Sequence, residues 1–144
     1  MLLDGNLLFD TQSAVTNSRA STNVLDLGAA RDMGVGDDPS LKLLVLCPTA
    51  FTTTNAATLR VQFQASTDSV TWNTIAQSDD LPVASLGAGA KIAKMDVPNN
   101  GLTRYLRLNY LVSTGVFSAG AVTAAIVLSR DDSPQYQANY NAAN

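Results

Sequence analysis

The residues most able to do chemistry are three acidic pairs, Asp37-Asp38, Asp79-Asp80 and Asp131-Asp132. Paired carboxylates can act as acid and base in glycoside hydrolysis or hold calcium. Neighbouring aspartates on a strand point to opposite faces, and on a loop they are solvated. No EF-hand spacing surrounds any of them, so they read as loop charge. Gly34-Val35-Gly36 and Gly87-Ala88-Gly89 lack the Gly-Lys-Ser/Thr ending of a phosphate loop and read as turns. Serines are plentiful, but no G-x-S-x-G elbow is present. The chain has no histidine, which excludes imidazole bases and histidine metal ligands. The lone Cys47 excludes an intrachain disulfide and a cysteine zinc site; it reads as a small buried hydrophobe. Trp72 could stack on a sugar ring, but residues 66–77 hold no other aromatic, so it reads as a core or hairpin-edge side chain. The expectation is a protein with no enzymatic activity, no cofactor and no metal.

Composition points the same way. The chain has 144 residues and a net charge of −3, with 15% charged residues, well below an average soluble domain. There is no basic excess for a nucleic-acid partner. No apolar run is long enough to span a membrane as a helix. Met1-Leu2-Leu3 is interrupted by Asp4, Gly5 and Asn6 and does not read as a signal peptide. Thr, Ser, Asn and Gln supply the polarity, a surface that tolerates close packing against another protein.

The elements that would carry such a surface are strands. Leu59, Val61, Phe63 and Ala65 alternate with Arg60, Gln62 and Gln64, a half-buried antiparallel strand. Leu106, Leu108, Tyr110 and Val112 alternate with Tyr105, Arg107 and Asn109, and Leu111 breaks the outer face. Residues 122–128 and Leu41 to Cys47 are apolar on both faces, the latter stopping at Pro48. Such strands lie inside a sandwich or under a partner. Lys91 to Val97 and Trp72 to Gln77 are further strands, and Asn23 to Leu27 a short one. Turns fall at Ser66 to Thr71, Gly87 to Gly89, Pro98 to Gly101 and Gly115 to Gly120. Gly28 to Asp32 could form one helical turn. The spacing predicts an all-β, antiparallel sandwich. Residues 1–22 read as an N-terminal arm that could include an edge strand, 23–129 as the sandwich, and 130–144 as a polar tail.

The ends carry candidate interface residues. Leu2, Leu3, Leu7, Leu8 and Phe9 precede any regular strand and need cover. Burying five such side chains contributes about 7–15 kcal/mol, against about 10–20 kcal/mol for ordering some ten backbone residues. An arm so balanced gains from crossing a subunit boundary held by other contacts; an edge strand of the same domain is the other reading, and both stay open. Leu111 on its outer face, and Tyr136 and Tyr140 in the tail, complete the set. Residues 1–9 or 130–144 are expected to contact a neighbouring chain, and removing residues 1–9 is expected to leave a folded core and weaken binding to the partner.

Four features together resemble a known family. They are the Met1 to Phe9 opening with Asp4-Gly5, the hairpin Gln64-Ala65-Ser66-Thr67-Asp68-Ser69-Val70-Thr71-Trp72, the strand Arg104 to Tyr110, and the strand Val122 to Leu128 with its tyrosine-bearing tail. The chain resembles the capsid cement, or decoration, proteins of tailed bacteriophages, of the Bordetella-phage type. The resemblance implies a jelly roll with extended termini and no active site. It implies a virion protein, made in the host bacterial cytoplasm, that binds the outer capsid surface. There it would bridge neighbouring major capsid protein subunits as a homo-oligomer, a dimer before a trimer. A carbohydrate- or receptor-binding module of a fibre or baseplate is the alternative.

Overall fold

The computed structural model describes residues 3–30, 41–98 and 101–127. Among the described residues, ten strands build two antiparallel sheets. They are β1 (Leu8–Ala14), β2 (Arg19–Ala20), β3 (Leu25–Asp26), β4 (Lys42–Thr52), β5 (Thr58–Ser66), β6 (Asn73–Gln77), β7 (Leu81–Pro82), β8 (Lys91–Asp96), β9 (Tyr105–Ser113) and β10 (Ala119–Val127). Sheet A runs β1-β10-β4-β8 and sheet B runs β2-β9-β5-β6, with β3 also on β9 and β7 also on β5. The short pairs β2/β3 and β6/β7 are two interrupted edge strands. Eight strands then remain, and every connection except the β5–β6 hairpin crosses from one sheet to the other. That is the strand order of a jelly roll, as the resemblance implied.

The core lies between the sheets. Leu59, Val61, Phe63 and Ala65 of β5 face Leu43, Val45 and Cys47 of β4, with Leu106, Leu108, Tyr110, Val122, Ala124 and Ile126 around them. All of these alternate with half-exposed or outward neighbours, so the period-2 reading of β5 and β9 holds in the structure. Gly120 sits against Phe51 so closely that a Cβ would meet the ring at 2.3 Å, with φ at +142°. Only glycine lets β10 pass that close.

Two local departures have clear causes. β4 does not stop at Pro48 but continues to Thr52. The proline is tolerated because the register with β10 slips there, between Leu46 and Thr49. β1 contains two slips against β10, between Leu8 and Asp10 and between Asp10 and Ser13. The first leaves both Phe9 and Asp10 facing inward; the second carries Gln12 at φ +46°. Such bulges hide a strand from any period-2 reading. Residues 8–14 and 19–20 thus belong to the sandwich. Gly28 and Ala29 form a bend, and residues 31 and 32 lie outside the described residues.

Candidate interaction surfaces

The N-terminal strand is fastened to both sheets. Asp10, fully buried, accepts at Oδ1 from Arg19 Nη1 (3.2 Å) and Nη2 (3.1 Å), and from the Thr22 hydroxyl (2.7 Å) and amide (3.2 Å). Its Oδ2 accepts from the Tyr110 hydroxyl at 2.8 Å. Arg19 lies over the Tyr110 ring and donates to the carbonyls of Ala14 and Ala20. Burial, and then the Asp10 carboxylate, hold the Tyr110 hydroxyl well above its ordinary pKa. It therefore stays a donor. Asn23 adds a second tie: its amide N–H donates to the Phe9 carbonyl and its side chain to the Leu8 carbonyl, both at 3.0 Å.

This placement separates the candidate interface residues. Phe9 is buried in the main core, edge-to-face on Phe63 at 6.1 Å. It serves the chain's own core, so a cut after residue 9 removes a core ring instead of an arm. Leu7 is partly buried against the same core. Leu3 and Leu8 pack elsewhere, with Leu46, on a second apolar cluster of Leu44, Ala125 and Val127. That cluster lies on the outer face of sheet A, which explains why β4 and β10 read as apolar on both faces. Leu111 is half-exposed on the outer face of sheet B. Leu2, Tyr136 and Tyr140 lie outside the described residues.

Sheet B presents a different surface. Its outer face carries two cross-strand rows of side-chain hydrogen bonds. Asn109 donates to Gln62 (2.8 Å), which donates to Gln77 (3.2 Å). Arg107 Nε donates to Gln64 (2.8 Å), which donates to Thr74 (3.2 Å). The Arg107 guanidinium lies 4.0 Å from the Trp72 ring centroid. One ring face of Trp72 is therefore occupied and closed to a sugar. At the ends, Arg60 forks onto Asp80 (3.0 and 2.7 Å) and Arg104 onto Asp26 (2.8 and 2.9 Å). The Arg104 guanidinium and the Gly28 amide hold Asp26 down at a pKa of about 2. The amides of Thr71 and Val70 do the same for Asp68, also about 2, inside the Ser66–Thr71 turn. Asp68 is thus a turn-former, and Asp80 an ion-pair partner.

Among the described residues, no three His, Cys, Asp or Glu side chains sit close enough to share a metal ion. Cys47 is buried, its thiol donating to the Thr49 and Leu86 carbonyls, and burial pushes its pKa up. Among the described residues no helix is long and apolar enough to cross a membrane.

Two of these features have sequence signals and one has none. The alternation of Arg60, Gln62 and Gln64 with apolar residues announced the polar face. The doubly apolar β4 and β10 announced the greasy one. The Asp10 lock joins residues 9, 12 and 100 positions apart, and no local pattern marks it.

A protein-family model described as Bbp16, a family of Bordetella-phage type, matches residues 9–126. The match starts at the buried Phe9 and ends in β10, so it covers the sandwich. The chain belongs to this family. No curated protein gives a match to it.

Proposed function

We propose, taking membership of the Bbp16 phage family as the premise, that this protein is a non-catalytic structural component of the virion. In this reading it binds the outer surface of the assembled capsid and bridges neighbouring major capsid protein subunits. The family match over residues 9–126 carries the reading. The fold supports it. The sandwich presents an amide-rich outer face on sheet B that is already hydrogen-bonded across its strands, whereas the apolar cluster outside sheet A is covered by the chain's own Leu3 and Leu8. A surface ordered in this way can dock on a neighbour without rearranging.

The mechanism is mass action. A ligand that binds only the assembled lattice stabilises it in proportion to the logarithm of its concentration over Kd. Low charge limits repulsion when many copies crowd one shell. Self-association, as a dimer or trimer, would multiply weak contacts. The alternative, a glycan-binding module of a fibre or baseplate, has less support, because Arg107 covers a face of Trp72.

Stripping the protein from purified particles and adding it back tests the proposal. Stripped shells should release DNA at lower temperature, and re-addition should restore the original value. Shells that neither bind the protein nor change their stability would overturn it.

A further inference from the structure

Four arginines lie among the described residues, and three face an aspartate: Arg19 faces Asp10, Arg60 faces Asp80 and Arg104 faces Asp26. Arg107 has no carboxylate partner among the described residues. Its Nε is used by Gln64 and its plane is set by Trp72. Neither terminal nitrogen has an acceptor among the described residues, so the fork of the guanidinium is unfilled. The group is also partly stripped of water, and this burial lowers its pKa. A cation held flat on the outer face of sheet B, with no carboxylate partner among the described residues, is ready for a carboxylate, which meets such a fork with two parallel hydrogen bonds.

We propose that the outer face of sheet B is a protein-docking surface anchored by Arg107, and that the shell surface it meets bears a carboxylate. The inference rests on the shell-binding reading and adds the chemistry of the contact. Around Arg107 the face is fixed in advance. Tyr105 and Asn109 flank it on β9, and the Asn109–Gln62–Gln77 row is already hydrogen-bonded. Side chains ordered before binding lose little entropy on docking. Arginine beside tryptophan and tyrosine is also the composition of an interface hot spot. A neutral sugar fits less well, because one face of Trp72 is already taken by Arg107 and the guanidinium would be left without its counter-charge.

Full-length protein titrated onto stripped shells tests this, with R107Q and R107K beside the wild type. R107Q should bind roughly tenfold more weakly, and R107K nearly as weakly, because lysine keeps the charge but loses the fork. Raising salt from about 0.05 M to about 0.5 M should weaken the wild type more than R107Q. Unfolding midpoints within about 2 °C of each other establish that the variants are folded. R107Q binding within about twofold of wild type would overturn the inference. So would glycan binding that R107Q abolishes while shell binding persists, which would assign the face to a sugar. A wild type that does not bind shells at all is a separate result, and it removes the shell-binding reading itself.

Discussion

Replacing Asp10 with alanine is the sharpest probe of how the N-terminal strand is held. The substitution removes an acceptor of five hydrogen bonds, from Arg19, Thr22 and Tyr110, at a site with no solvent access. Breaking one side of a buried ion pair costs about 3–5 kcal/mol, because the partner stays behind unpaired. The Arg19 side chain is 26% exposed and can recover some hydration, which places the cost near the lower end, about 3 kcal/mol. For a domain of this size each kcal/mol moves the melting temperature by about 2–4 °C, so D10A should melt about 6–12 °C lower. Y110F removes one donor and should cost about 1–2 kcal/mol. The double variant should fall short of the sum by about 1 kcal/mol, since both changes break the same bond. Urea unfolding followed by circular dichroism reads all three. A D10A loss under about 0.5 kcal/mol, or strict additivity with Y110F, would refute the lock.

The remaining predictions concern the core, the turn and the N-terminus. G120A should lose about 2–4 kcal/mol in urea unfolding, because its Cβ would enter the Phe51 ring at a backbone angle that disfavours side chains. Asp68 has a folded pKa of about 2, below its ordinary 3.8, so its contribution is present above pH 4 and lost as pH falls towards 2. The difference in urea midpoint between wild type and D68N should therefore shrink over that window; a constant gap would remove the turn's role. Deleting residues 1–7 should leave a cooperative fold, because β1 and Asp10 remain. It should weaken shell binding, as measured by co-sedimentation. Deleting residues 1–10 should abolish cooperative melting, since Phe9 and the lock go with them.

The fold was largely readable because the two central strands of sheet B, β5 and β9, alternate buried and half-exposed residues over most of their span. The alternation runs from Thr58 to Phe63 in β5 and from Tyr105 to Tyr110 in β9, and the outward Arg, Gln and Asn residues of these strands form the polar face. Reading failed where the backbone slips. Pro48 looked like the end of a strand, yet the slip against β10 accommodates it. The two bulges in β1, which put Phe9 and Asp10 on the same side, left the opening residues readable as an arm or as an edge strand, and Leu8–Ala14 form the strand. The contrast between Arg107 and the other three described arginines was invisible in sequence. Every pairing aspartate lies at least nine residues from its arginine along the chain.

Imaging intact virions by electron cryo-microscopy tests the central claim most directly. The account predicts a jelly roll on the outside of the shell, each copy touching at least two major capsid protein subunits. A particle whose shell lacks it, or one that carries it only on the tail, would contradict the account.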